Sequence, residues 1–139
     1  MARIGDSLAG KRVLVTQAGD FMGPVLAEVF REHGATVFAD ESSMEDPGAP
    51  QRAAEAAGPV DVLIANLGVP APSTRAHEVG DAEWRHVFAN IVDPLPRLFR
   101  AVLPGMLERR AGKIVVMGSA TAFRRSEERR VGKECRSRW

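Results

Sequence analysis

The chain contains no tyrosine and one cysteine, Cys135. Without a tyrosine, no phenol is available to move a proton. A lone cysteine excludes a disulfide framework and a zinc cluster, which agrees with a reducing cytoplasm, the expected location. No apolar run reaches the roughly 20 residues of a membrane span, and no signal-peptide pattern precedes the first apolar run. His33, His77 and His86 are the only side chains whose ordinary pKa lies close to neutral. Pattern places none of them at the carboxyl end of a strand, so none is expected in a site. The 139 residues are enough for one domain.

A basic excess is also lacking once the last fifteen residues are set aside. Arg125 to Trp139 reads R-S-E-E-R-R-V-G-K-E-C-R-S-R-W. Back-translated, its start looks like a common sequencing-adapter oligonucleotide, so residues 125–139 are read as a non-native tail. The alternative is a natural basic tail for nucleic acid or membrane; the codon-by-codon coincidence favours the adapter. The tail holds six of the 19 basic and three of the 18 acidic residues, so the net charge of +1 becomes −2 without it. Neither a nucleic-acid nor a membrane partner is expected.

What is present centres on Arg12 to Pro24, R-V-L-V-T-Q-A-G-D-F-M-G-P. Val13, Leu14 and Val15 form a short continuous apolar run, the mark of a strand buried on both faces. Thr16 to Met22 is a turn, and Gly23-Pro24 opens a helix, where proline's missing N–H has no partner to lose. Val25, Leu26, Val29 and Phe30 recur at helical spacing, and His33-Gly34 closes the helix. Thr36 to Ala39 is a second buried strand ending on Asp40. This is a βαβ unit with its strand-to-helix turn placed to receive phosphate.

Glu41 to Pro50 is a loop by composition, and Gln51 to Ala57 a short helix. Val60 to Ala65 is the next buried strand, running into Asn66-Leu67-Gly68. Val69 to Thr74 is a proline-rich loop placed to line the cleft at the strand ends. Asp81 is expected to cap a long helix, kinked near Pro94 and Pro96. Trp84, Val87, Phe88 and Ile91 share an apolar stripe, with core packing as the default for Trp84 and Phe99. Gly112 to Ser119, G-K-I-V-V-M-G-S, is a last strand.

The turn and the final strand resemble the short-chain dehydrogenase/reductase superfamily. Its turn pattern is T-G-x-x-x-G-x-G; Thr16 and Gly23 match the ends, while Gln17 and Phe21 replace the first two glycines. Asn66 and Gly68 match the N-N-A-G that follows the family's fourth strand, where the asparagine braces the central strands. Ala101 to Met106 is similar to the family's dimer-forming helix, which implies a homo-oligomer, dimer or tetramer. The fold implied is α/β, a Rossmann-type doubly wound parallel sheet over residues 1–124, truncated after the family's fifth strand. Residues 41–60 leave too little chain for the family's extra helix and strand, so the second-to-fourth strand connection is shortened, with at most a remnant near Met44-Glu45.

The resemblance implies a catalytic Ser119, holding a substrate oxygen, and NAD held by Thr16, Gly19, Phe21, Gly23, Asp40, Asn66 and Gly68. Asp40 accepts the adenosine ribose hydroxyls and repels a 2′-phosphate, so NAD is expected over NADP; otherwise Asp40 simply begins a loop. No metal is expected. The family's catalytic asparagine aligns with Ile91, leaving Asn90 one residue early, so that asparagine is expected to be absent. The tyrosine position falls on Gly132, in the tail.

The implied function is an NAD(P)-dependent oxidoreductase of a small-molecule alcohol or carbonyl. The halohydrin dehalogenases, a branch of the superfamily, are the alternative. Their T-x4-F/Y-x-G is matched by Thr16, Phe21 and Gly23, and Ser119-Ala120-Thr121 resembles the stretch after their serine. They bind halide where nicotinamide would lie and need no nucleotide. In a drifted dehydrogenase, Phe21 would instead be a core or loop aromatic. A non-catalytic scaffold is the third possibility. This chain itself is expected to be inactive, compact and poorly cooperative.

Overall fold

The computed structural model describes residues 7–70 and 73–119. The 125–139 tail and the stretch from Ala120 to Phe123 lie outside the described residues. Four parallel strands form one sheet in the order β2-β1-β3-β4. They are β1 (Arg12–Val15), β2 (Thr36–Ala39), β3 (Val62–Ala65) and β4 (Lys113–Val116). The helices are α1 (Gly23–Glu32), α2 (Ala49–Ala57), α3 (Asp81–Ile91) and α4 (Pro94–Glu108). This is the α/β doubly wound parallel sheet that the sequence implies, with the shortened connection after β2.

The two central strands are apolar at every buried position because helices cover both their faces. Leu14, Leu63 and Ala65 point into one core, with Met44, Ala53, Ala57, Leu98, Val102 and Met106 from the α2 and α4 side. Val13, Val15, Val62 and Ile64 point the other way, against Leu26 and Phe30 of α1. The alternation of Val13-Leu14-Val15 between the two clusters is the strand period of two residues.

Register comes from direct pairing. Leu14 lies opposite Leu63 and Leu63 opposite Ile114. Polar groups tie down the starts of these strands. Arg12 N donates to Asp61 Oδ2 at 2.9 Å, and its guanidinium to Ala57 O at 2.7 Å. Arg109, just past α4, donates to Val60 O at 2.8 Å.

Several expectations need correction. Thr36 to Ala39 is not a buried strand; its residues are exposed or half-buried. The physical reason is its edge position, since no described strand pairs beyond it. The long kinked helix is two helices. Val92 and Asp93 separate them, and Pro94 opens α4 at a helix start, where its ring meets no preceding turn. Gly80, not Asp81, is the cap residue of α3; Asp81 is its first residue and pairs with Arg85 at 3.6 Å. Trp84 does not pack in the core. It is 58% exposed, its ring 4.6 Å from that of Phe88.

The connection after β2 is short but anchored. Met44 is completely buried in the core, which pins the loop midway. Asp46 then starts the approach to α2, accepting from Gly48 N at 2.9 Å and pairing with Arg52. The Gly48 N–H, and after it the Arg52 guanidinium, hold the Asp46 carboxyl below its ordinary range.

At the other end of the sheet, Val115 and Val116 of β4 are 44% and 46% exposed. Among the described residues nothing pairs with the outer edge of β4. Open, apolar edges of this kind recruit other chains. The purified chain is therefore expected to bind ANS and to associate with concentration. A monodisperse species with a sharp, concentration-independent thermal transition would contradict this.

Candidate functional site

The turn after β1 is built from backbone bonds. Ala18 N donates to Asp40 O at 2.8 Å, Asp20 N to Gln17 O at 3.0 Å and Gly23 N to Asp20 O at 2.9 Å. Gln17 has φ +44° and Phe21 φ +52°. These are the two positions where the family pattern has glycine, and both keep the left-handed backbone that only glycine takes without cost. The turn adopts this backbone without the glycines that make it easy.

Compensating bonds hold it. Gln17 forms a two-point clasp with Gly68, its Nε2 donating to Gly68 O at 3.3 Å while its Oε1 accepts from Gly68 N at 2.8 Å. Asn66 Nδ2 donates to Gln17 O at 3.0 Å and Asp20 O at 3.1 Å. Asn66 thus braces the turn against the exit of β3. Thr16, fully buried, donates from Oγ1 to Asn66 O at 3.2 Å, with Ile64 O at 3.4 Å as a second acceptor in reach.

Two glycines stand in close approach, Gly23 to backbone atoms that cannot yield and Gly68 to the exposed Phe21 ring, which would have to turn aside for a side chain. A Cβ on Gly23 would lie 2.6 Å from Ala18 Cα and carbonyl oxygen, and one on Gly68 would lie 2.5 Å from the Phe21 ring. Gly19 is open by comparison, its nearest neighbour being the Glu41 side chain at 3.7 Å.

A cavity of about 400 Å³ opens beside this turn, at the carboxyl ends of β1 and β3. Asp20 and Phe21 line it from the turn, and Ser43 and Glu45 from the loop after β2. Gly68, Val69 and Pro70 line it from the exit of β3, and His86 and Asn90 from α3. The sheet order reverses between β1 and β3, which is where open α/β sheets receive ligands.

Of the residues singled out by sequence, Phe21 and Gly68 line the cavity. Thr16, Gly23 and Asn66 build the turn beside it. Asp40 does not line it; its Oδ2 accepts from Ser42 Oγ at 2.7 Å. Ser119 lies three residues past β4, at the same carboxyl side of the sheet, and is not part of the cavity lining.

Sequence reasoning missed His86, Glu45 and Asn90. His86 was expected away from any strand end, yet it lines the cavity, its Nδ1 within 3.4 Å of Glu45 Oε2. Asn90 is 4% exposed and donates to Glu45 Oε2 at 3.3 Å and to His86 O at 2.9 Å. Ile91, at the family's asparagine position by alignment, does not line the cavity. The i, i+4 spacing of His86 and Asn90 was visible as a shared helix face. Nothing in the sequence brought Glu45 to it.

The short chain dehydrogenase family profile matches residues 39–131. The chain belongs to the short-chain dehydrogenase family. The match begins at Ala39, after the turn with its two replaced glycines. Among curated relatives, the 3-oxoacyl-[acyl-carrier-protein] reductase FabG of Vibrio harveyi is 29% identical over 138 residues, 81% of this chain and 56% of its own length. Oxidoreductase UcpA of Escherichia coli K12 is 30% identical over 141 residues, 82% of this chain and 53% of its own length. The chain spans about half the length of these curated relatives. A crystal structure of a Brucella melitensis 3-oxoacyl-[acyl-carrier protein] reductase with bound NAD superposes with a TM-score of 0.78 at 24% identity. It covers 89% of this chain and 59% of that one, and so shares the short-chain dehydrogenase fold. Among the described residues no helix is long and apolar enough to cross a membrane.

Proposed function

We propose that the protein represented by this chain is a nicotinamide-nucleotide oxidoreductase acting on a small alcohol or carbonyl compound, with NAD the expected cofactor. The observation that carries this reading is the turn from Thr16 to Gly23. Its backbone is left-handed at Gln17 and Phe21, the positions where the family pattern has glycine, and the side chains of Gln17 and Asn66 hold it so. Beside it, the cavity at the switch point offers polar groups from three elements and an apolar wall of Phe21, Val69 and Pro70. That lining fits the adenosine half of the cofactor. The pyrophosphate route is narrower, because the Phe21 ring lies against Gly68. In the first turn of α1, Gly23 N already donates to Asp20 O at 2.9 Å and Pro24 has no N–H, so the helix start offers an anion no more than the Val25 N–H. The nicotinamide supplies hydride when bound. In this reading Ser119 holds the substrate oxygen by donating its hydroxyl proton in a hydrogen bond. The chain has no tyrosine, so it is expected to bind nucleotide without turnover.

The test is titration of the chain with NADH, followed by fluorescence. Saturable binding supports the reading, and no binding at millimolar NADH removes it. Phe21→Gly is expected to tighten NADH binding about tenfold, roughly 1.4 kcal/mol, by clearing the ring from the pyrophosphate path. Unchanged or weaker binding would show that the ring is no obstacle.

A second reading rests on that same ring. Phe21 at φ +52°, set against Gly68 at the cavity wall, is the arrangement expected if a halohydrin dehalogenase-like protein holds a halide where nicotinamide would be. Such an enzyme closes an epoxide as the alkoxide displaces halide from the neighbouring carbon. Halide quenching of tryptophan fluorescence, without NADH binding, would favour it. Absence of both responses would leave the scaffold role.

A further inference from the structure

We infer that His86 is the residue that admits an anionic ligand to this cavity, and that its proton sets how tightly a dinucleotide binds there. The inference rests on the nucleotide reading above and deepens it.

The cavity carries the wrong fixed charge for a phosphate-bearing ligand. Asp20 lines it from the turn and Glu45 from the loop after β2, and no lysine or arginine is among the lining residues. The start of α1 offers little relief, since Gly23 N is bound to Asp20 O and Pro24 has no N–H. A pyrophosphate here would stand near two carboxylates with no permanent cation beside it. His86 is the one lining side chain that can become cationic.

The imidazole is held where that charge counts. His86 Nδ1 lies 3.4 Å from Glu45 Oε2 and 3.4 Å from Asn90 Nδ2. Asn90, one helical turn on and almost fully buried, donates to Glu45 Oε2 at 3.3 Å and to His86 O at 2.9 Å, so it fixes both partners. Met44, fully buried, anchors the loop that brings Glu45. With Nδ1 occupied, Nε2 has no hydrogen-bond partner among the described residues. Once protonated, it can donate a charge-assisted bond to a phosphate oxygen. A cavity of about 400 Å³ is roughly 9 Å across, about one Debye length, so every ligand charge inside it feels the imidazolium.

The sign follows from the groups that face His86. Between about pH 8 and about pH 5.5 an imidazole takes up its proton while carboxylates stay ionised. The lining then passes from −2, Asp20 and Glu45, to −1, the same two with His86 cationic. Glu45 does not cancel the change, because its own charge is present at both ends of the range. On α3 itself, Arg85 pairs with Asp81 at 3.6 Å, and neither of them nor Glu83 lines the cavity. The α4 helix, packed against α3, contributes no lining residue. Affinity for an anion therefore rises as pH falls through the imidazole range.

The experiment is calorimetric titration of the full 139-residue chain with NAD, whose phosphates stay ionised throughout, and with adenosine, which carries no charge. Wild type is expected to bind NAD about threefold to tenfold tighter at about pH 5.5 than at about pH 8. Adenosine affinity is expected to change by less than about twofold, and His86→Gln to flatten the NAD response to the same extent. His86→Lys keeps its cation at both pH values. It is expected to bind NAD at about pH 8 at least about threefold tighter than wild type, a gain that misfolding cannot produce. A wild-type NAD affinity equal at both pH values, a pH response that survives in His86→Gln or is shared by adenosine, or no gain in His86→Lys overturns this inference and leaves the nucleotide reading standing. If wild type binds neither NAD nor adenosine at either pH, the nucleotide reading itself falls, and this inference with it.

Discussion

Leu63→Ala is expected to loosen the centre of the sheet more than any other single truncation described here. Leu63 is completely buried in the middle strand of the β1-β3-β4 ladder. It faces Leu14 on one side and Ile114 on the other, and shares its core with residues of α2 and α4. Truncating a buried leucine costs about 2–5 kcal/mol, through lost transfer energy and the cavity left behind. The neighbours here cannot refill the space easily, because Ala53, Ala54, Ala57 and Ala65 are too short to reach into it. Amide hydrogen exchange is the right measure, since it reads strand by strand and needs no sharp global transition. Amides of β1 and β3 should exchange roughly 30-fold to several thousand-fold faster, with one decade per 1.4 kcal/mol. An acceleration below tenfold would show that the α2–α4 layer collapses onto the strand.

Gly23→Ala is expected to disrupt the site rather than the sheet. A Cβ there would lie 2.6 Å from the Cα and carbonyl oxygen of Ala18. Those are backbone atoms, and Ala18 is held in turn by its bond to Asp40 O at 2.8 Å. The strain cannot be absorbed by a rotating side chain. Forcing an extra methyl into such a contact costs about 1–3 kcal/mol. The start of α1 must move away from the turn, which breaks the Gly23 N to Asp20 O bond and displaces the Phe21 ring. Two measurements should change together: NADH affinity should fall by tenfold or more, and the amides of α1 should lose protection while those of β3 keep theirs. Retained affinity with unchanged protection would mean that the turn tolerates the methyl by a shift of its own. The contrast with Phe21→Gly is useful, because the two substitutions lie on one loop and are expected to change affinity in opposite directions.

Much of the fold was legible because local and tertiary demands coincide. The run Val13-Leu14-Val15 is apolar at every position because helices cover both faces of β1, and that needs no knowledge of which helices. Val62 to Ala65 reads in the same way. Gly23 was legible too, as the residue between a turn and a helix-opening proline. Where propensity and environment part, the reading failed. Thr36 to Ala39 has the composition of an inner strand, yet its place at the edge leaves it half open. Trp84 repeats at helical spacing with Phe88, but the apolar stripe meets a neighbouring ring and solvent instead of the core. A periodic pattern states which residues share a face and is silent on what that face meets.

The candidate site divides along the same line. The sequence by itself determined the βαβ order, the strand-to-helix turn with Gly23 at its end, the asparagine after β3 and the short connection after β2. The βαβ order and the turn follow from chain-local chemistry, the apolar period and a proline at a helix start; the asparagine and the shortness of the connection were legible through the family resemblance. Only the tertiary structure decided that Gln17 and Phe21 adopt glycine-like backbone, because the clasp on Gly68 and the Asn66 bonds come from residues about fifty positions away. Only the tertiary structure likewise took Asp40 out of the cavity and put Glu45, His86 and Asn90 into it. The reason is physical: a buried Met44 and a short loop fix where Glu45 stands, while α3 approaches from over forty residues later in the chain. Contacts of that range are set by how layers pack, and no local pattern carries them.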